Sequence, residues 1–365
     1  MITLQKKYRN FLFISTIVLV IIGIIMIYSA SYIWADYKFG DQFKYVKQQL
    51  IFAVLGVILI YLVTKIDYKI YYKKASLILG ICLLLLVLVL IPGIGVIRNG
   101  SRSWFGIGSF GIQPSEAAKL AMILWTAKFL ENKNKIYKGI KPVIPVLLML
   151  MLIFGLIMLQ PDFGTGVILV MSIIAILFIA GVPMKYFYIL FVVGAVGAVA
   201  LIAVAPYRLE RITSFLNPWS DPLGTGFQII QSLYAIGPGG LLGFGFLNSR
   251  QKHFYLPEPQ TDFIFSIICE ELGVIGALVI IILFFIIAYC GIKLALKQEN
   301  LFKKYLIFGL TFQMIFQAIM NLSVVIGLIP VTGVTLPFLS YGGSSLLISM
   351  LSIGLILSVS KKERK

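Results

Sequence analysis

Apolar residues along this chain gather into long stretches separated by short polar breaks, without the alternation of half-buried strands. A helix needs about 20 apolar residues to cross a ~30 Å hydrocarbon core. Ten stretches qualify, at roughly 11 to 32, 47 to 64, 75 to 92, 114 to 130, 143 to 160, 163 to 181, 186 to 205, 263 to 290, 304 to 329 and 334 to 358. The pattern predicts an all-α polytopic membrane protein of about ten transmembrane helices, one membrane domain over residues 1–365. The first stretch, with Lys6 and Lys7 before it and Ser29-Ala30-Ser31 after it, has some look of a signal peptide. It is long for that role and begins a regular alternation of spans, so it is read as the first helix.

One polar segment breaks the economy of the connections. Residues 206 to 261 form a long external loop containing "LNPWSDPLGTG", "GPGGLLGFG" and "SRQKHFYLPEPQ". Its prolines and glycines argue against one continuous helix, and loops of this length are usually functional. Trp34, Trp104 and Trp219 fall near external span ends, where indole rings favour the interface. The sequence carries no internal repeat clear enough to claim, although a transporter built from inverted repeats is expected to show one.

Composition agrees with the pattern: 60% of residues are apolar and 12% charged, with a mean hydropathy of +1.00. The net charge of +17 lies in lysine clusters between the apolar stretches, so nucleic acid is not a partner. One set of alternate loops holds about 21 Lys and Arg and the opposite set about nine, which puts both termini in the cytoplasm. Cys82, Cys269 and Cys290 fall in apolar stretches with no metal-ligand spacing. With His253 the only histidine, a zinc site and a Ser-His-Asp triad are both disfavoured, and a general base is expected to be a carboxylate.

Ionisable residues are costly near hydrocarbon and are functional candidates by default. They collect towards one side of this chain. Arg102 precedes the fourth span, in which Glu116 and Lys119 lie about 60° apart on one helical face. Asp162 sits in the corner "QPDFGTG", the long loop supplies Arg208, Arg211, Arg250 and Lys252, and Asp262 stands at the outer end of the eighth span. Structural roles compete for each. Glu116 near the start of a helix and Asp262 beside Thr261 are what caps look like. Glu116 and Lys119 also suit a buried ion pair, and Asp162 a turn. Gln313, Gln317 and Asn321 form a stripe typical of interhelical contacts, and Ser340 to Ser345 at the start of the tenth span suit close packing or a cavity wall. Counted along one helix, Glu270 lies about 80° and Glu271 about 180° from Asp262, both roughly 12 to 13 Å deeper; they are read as hydrogen-bonded structural acids. The residues suggest an outward-opening intramembrane cavity for a large anionic, partly lipid molecule. A transporter for such a molecule and an enzyme acting on it both remain open.

Five motifs narrow this: "NGSRSWFGIGSFGIQPSEAAKLAM", "QPDFGTG", "RITSFLNPWSDPLGTGFQIIQSLYAIGPGGLLGFG", "SRQKHFYLPEPQTDFIFSIICEELG" and "GLIPVTGVTLPFLSYGGSS". In these the chain resembles the SEDS family of cell-wall glycosyltransferases, which includes FtsW, RodA and SpoVE, and it looks more like the FtsW and SpoVE branch. The resemblance implies a peptidoglycan polymerase of the bacterial cytoplasmic membrane that acts on lipid II, the undecaprenyl-pyrophosphate-linked disaccharide peptide. It implies Asp262 as catalytic base and Arg102 and Lys119 as cations for the pyrophosphate, with Arg208, Arg211 and Lys252 as further candidates. Glu116 would hold Lys119, and Asp162 and Ser344 complete the expected substrate-binding set. A divalent cation is a possible cofactor. A class B penicillin-binding transpeptidase, within the division or spore-cortex machinery, is the implied partner; a lipid II flippase and a non-catalytic scaffold for that partner are the alternatives. Two positions depart from the family pattern: Pro259 and Gln260 precede Thr261 where many relatives carry histidine, and Leu247 stands where many carry glycine.

Overall fold

The computed structural model describes residues 2–98, 100–107, 110–131, 141–204 and 206–361. Ten helices take the ten predicted positions: α1 (Ile2–Phe39), α2 (Lys44–Lys65), α3 (Tyr68–Leu88), α4 (Pro114–Glu131), α5 (Ile144–Met158), α6 (Phe163–Ile179), α7 (Met184–Val204), α10 (Ile264–Leu296), α11 (Leu301–Val325) and α12 (Gly343–Val359). By length and composition α1, α2, α3, α10, α11 and α5 with its preceding turn are long and apolar enough to cross a membrane; α6, α12 and the Met184–Gly197 part of α7 are shorter apolar helices. The chain is a polytopic membrane protein.

Burial sorts these helices into an inner and an outer set. α4 and α11 are enclosed on most sides, with Glu116, Lys119, Gln313, Gln317 and Asn321 all buried. α2 and α3 instead present Leu55, Ile58, Leu77 and Leu84 outward, as lipid-facing helices do. Charges in α4 are therefore tolerated because protein surrounds them.

Three features differ from the sequence expectation. The segment before α4 folds into an antiparallel sheet, β1 (Val96–Arg98), β2 (Ser101–Ile107) and β3 (Phe110–Ile112), in the order β1-β2-β3. The long external segment contains two helices, α8 (Pro206–Leu216) and α9 (Phe227–Ile236). The tenth span begins at Gly343 rather than 334, and residues 329–342 run as non-helical chain back into the protein. Pro330 and Pro337 cannot continue a helix, and Gly333 and Phe338 adopt φ of 72° and 66°. Ser340, Tyr341 and Gly342 thus lie on this inserted segment, whereas Ser344 and Ser345 open α12.

Within α10 the helix is interrupted just beyond Glu271. Gly273 has φ 62° and ψ −160°, a conformation essentially confined to glycine. The glycine-rich loop after α9 repairs the break. Phe244 N–H donates to Glu270 O at 2.9 Å and Gly245 N–H to Glu271 O at 3.0 Å, while Gly240 O and Leu241 O accept from Val274 and Ile275 N–H at 2.9 and 3.2 Å. Without this clasp those groups would lie unpaired in an apolar setting, at several kcal/mol each. A Cβ on Gly273 would approach Gly243 N and Leu241 O to 2.5 Å. Gly273→Ala is therefore expected to cost on the order of 3 kcal/mol, read as a lowered Tm in detergent with proteolytic nicking between residues 239 and 245. An unchanged Tm would mean that the clasp carries no stability.

Candidate active site

Asp262 precedes the first turn of α10 and is half-buried. The N-cap of α10 is Phe263, which makes no side-chain cap bond, and Thr261 Oγ1 donates to Glu258 O at 2.7 Å. The neighbourhood of Asp262 comes from α11 and the inserted segment. Asn321 Nδ2 donates to Asp262 O at 2.7 Å and to Val334 O at 2.8 Å, so one buried amide ties the aspartate main chain to residues 333–335. Gly333 lies beside the carboxylate: a Cβ there would stand 3.7 Å from Asp262 Oδ2.

The same inserted segment reaches the cation of α4. Lys119 is fully buried, and its ammonium donates to Glu116 Oε1 at 2.8 Å and to Gln317 Oε1 at 3.0 Å. Gln317 Nε2 donates onward to Thr335 O at 3.0 Å, and Thr335 Oγ1 to Ser345 Oγ at 2.9 Å. An ammonium has three N–H donors, so the third remains for another acceptor. The stripe Gln317 and Asn321 is thus interhelical contact of a particular kind: one residue holds Lys119, the next holds the Asp262 main chain, and both bind the inserted segment.

Asp162 completes the group. It caps α6, with Oδ1 accepting from Thr165 N–H at 3.1 Å and Oδ2 from Gln113 Nε2 at 2.8 Å. Desolvation pushes its carboxyl above the usual carboxylate range; the Thr165 bonds and the field of Lys119 pull it back, and Glu116 raises it further. Next to it, α6 touches the inserted segment, since a Cβ on Gly164 would lie 3.0 Å from Thr332 O. Ser344 Oγ accepts from Gln113 N–H at 3.1 Å and donates to Gly111 O at 2.8 Å, fastening β3 to α12. Gln113, Gly333 and Thr335 were not singled out from the sequence, and only their place in two recognised motifs marked them.

Other expected residues stand elsewhere. Arg102 lies half-buried on β2, paired with Ile97 of β1, and its side chain makes no ion pair or hydrogen bond among the described residues. Arg208 and Arg211 belong to α8, and their side chains lie outside the described residues. Lys252 pairs apart from this group: its fully buried ammonium donates to Glu271 Oε1 at 2.8 Å and to Ser29 Oγ at 3.3 Å. Glu270 and Glu271 are hydrogen-bonded acids as expected: both accept from the 249–252 loop, and Glu271 also accepts from Ser29 Oγ of α1 at 2.6 Å. Among the described residues no three His, Cys, Asp or Glu side chains gather as metal ligands. A divalent cation would find no ready-made set of side-chain ligands among them.

If Asn321 positions Asp262, its loss should misplace the carboxylate without removing it. Asn321→Leu is expected to lower kcat by about tenfold to a hundredfold, since small displacements of a reacting group cost that much, while Asn321→Gln recovers part of the rate. Equal rates for wild type and Asn321→Leu would refute the positioning role.

The family described as "Cell cycle protein", FtsW/RodA/SpoVE, matches residues 9–365. This chain belongs to the FtsW/RodA/SpoVE family. Across 354 residues, 97% of each chain, the protein is 52% identical to Stage V sporulation protein E of Bacillus subtilis (strain 168). It is 40% identical over 361 residues to the probable peptidoglycan glycosyltransferase FtsW of Coxiella burnetii (strain RSA 493 / Nine Mile phase I), covering 98% of this chain and 97% of that one. Among solved structures, one concerning the structural coordination of polymerization and crosslinking by a peptidoglycan synthase complex superposes with a TM-score of 0.80 at 30% identity, over 96% of both chains. Thermus thermophilus rod shape determining protein RodA gives 0.71 at 28% identity, over 96% of this chain and 95% of that one. The FtsW/RodA/SpoVE fold therefore accounts for nearly the whole chain.

Proposed function

We propose that this FtsW/RodA/SpoVE member is a peptidoglycan glycosyltransferase that polymerises lipid II at the outer face of the bacterial cytoplasmic membrane. The observation that carries the reading is the half-buried Asp262, whose main-chain carbonyl Asn321 ties to the inserted segment, which Gln317 in turn links to the Lys119–Glu116 pair. A sugar hydroxyl is too weak an acid to ionise beforehand, so a positioned base must take its proton as the bond forms. Asp262 takes the proton of the acceptor's GlcNAc 4-hydroxyl. The oxygen forms its bond to the anomeric carbon of the growing chain, and undecaprenyl pyrophosphate leaves with the electron pair. Negative charge then grows on that leaving group, and Arg102 and Lys119, the cations that the family resemblance implies, are the residues assigned to oppose it. Glu116 and Gln317 fix the direction of the ammonium.

The named activity of the FtsW relatives supports the reaction class. Similarity to a component of a synthase that couples polymerization to crosslinking supports a class B penicillin-binding transpeptidase as partner. The charge asymmetry of the loops supports cytoplasmic termini, and the likeness to a sporulation protein and to FtsW supports a place in spore-cortex or division machinery. Purified protein, with and without its transpeptidase, is expected to convert lipid II into glycan polymer in detergent. Movement of lipid II across vesicles with no polymer formed would assign a transporter instead, and an Asp262→Asn protein that complements a deletion strain would assign a scaffold.

A further inference from the structure

A second concavity, of about 780 Å³, opens between α9 and the 247–255 loop; Gln231 and Tyr234 line it from the helix, and Arg250, Gln251, His253 and Tyr255 from the loop. It shares no residue with the group around Asp262. Its floor is anchored by the two deep acids of α10. Glu270 accepts from Ser249 Oγ at 2.5 Å and from Arg250 N–H at 2.8 Å. Glu271 accepts from Ser249 N–H at 3.1 Å, in addition to its pair with Lys252. Two buried carboxylates thus hold a loop whose other face is open. The backbone at both ends is strained: Leu247 has φ 68° and Phe254 φ 67°, values that non-glycine residues keep only where the surroundings impose them. Within the lining, Gln251 Oε1 is buried with no hydrogen-bond partner, although buried acceptors are nearly always paired.

The lining determines what fits. Tyr255 is 56% and Tyr234 49% exposed, offering ring faces to an apolar surface; two glutamines offer amide donors and acceptors, and Arg250 offers positive charge. Among the described residues no carboxylate lines the pocket. A cationic ligand finds no counter-charge there, whereas a hydroxyl- and amide-rich chain carrying carboxylates is matched. Tyr255 is also within ~25 Å of Asp262 even with the intervening chain fully extended, a reach of a few sugar rings.

We propose that this pocket is a saccharide subsite that holds the acetamido-sugar strand as it leaves the polymerising centre. The tyrosines stack on sugar faces, the amide oxygen of Gln251 accepts from an acetamido N–H or a hydroxyl, and Arg250 donates to the lactyl carbonyl oxygen, an amide in the nascent strand and a carboxylate in peptide-free glycan. The proposal rests on the glycosyltransferase reading, and its test is binding without turnover.

The probe is soluble glycan strands of alternating N-acetylglucosamine and N-acetylmuramic acid, freed of peptide and titrated into the full-length protein in detergent. Trp219 touches Tyr234 edge-on at 5.8 Å and supplies a fluorescence signal, with calorimetry as the second readout. Saturable binding is expected for wild type and equally for Asp262→Asn. Affinity should fall about tenfold in Tyr255→Ala, the effect of losing one stacking ring, and also fall in Gln251→Leu, with unchanged Tm in both. Absence of saturable binding, or unchanged affinity in both variants, overturns the subsite. So does a Tyr255→Ala protein that still binds strands but loses affinity for a soluble transpeptidase ectodomain, which would make the pocket a protein-docking surface. Strand binding without polymerase activity would overturn the proposed function and leave the subsite standing; polymerase activity without strand binding would do the reverse.

Discussion

Asp262→Asn is expected to reduce lipid II polymerisation by ~10²- to 10⁴-fold, the usual contribution of a positioned general base. Asparagine matches aspartate in shape and keeps the main-chain carbonyl that Asn321 holds at 2.7 Å. The substitution removes the proton acceptor and keeps the side-chain shape. Asp262 is half-buried and lies outside the regular turns of α10, so expression and Tm should remain near wild type. Initial rates of polymer formation, measured at saturating lipid II with matched amounts of folded protein, decide the matter. A rate within twofold of wild type would remove Asp262 from the chemistry. A fall in rate accompanied by an equal fall in folded protein would point to structure instead.

The second large effect concerns the ion pair of α4. Lys119→Met leaves Glu116 buried and unpaired, which costs about 3 to 5 kcal/mol when a buried pair is broken from one side. The single variant therefore combines a folding defect with any loss of chemistry. Glu116→Gln with Lys119→Met separates them, because a neutral pair carries no unpaired charge, and Gln317 stays beside the site to accept from the new amide. The double variant is expected to recover most of the lost Tm and to remain at least about a hundredfold below wild type in polymerisation, as after loss of a charge-stabilising donor. Recovery of both Tm and activity would make Lys119 a structural ion pair alone.

The positions of the spans were legible in the sequence because apolarity is a local property: each stretch reports its own solvent, whatever it packs against. The acids and bases of α4, the corner Asp162 and the threshold Asp262 were legible for a related reason, since each is conspicuous in an apolar setting. Gln317 and Asn321 gave a weaker signal, a four-residue spacing that named a face but no partner. Gln113 and Thr335 gave less, as uncharged polar residues are unremarkable near a membrane surface. The sheet before α4 was missed because its short strands carry little alternation, and the break in α10 because a single glycine inside an apolar helix has no partner visible in sequence.

Only the tertiary structure decided which polar groups meet. Asn321 reaches a main-chain carbonyl 59 residues away, and Ser29 a carboxylate 242 residues away. Such contacts depend on where chain segments return, and the return of residues 329–342 into the bundle brings Asp262, Lys119 and Asp162 to a common frame. The sequence by itself determined that the chain is a multi-pass membrane protein and which residue types were out of place there. Folding decided that Lys252 and the two glutamates hold a loop while Asp262 stands half-buried ahead of α10, because buried charges must find partners and only packing sets which partners are within reach.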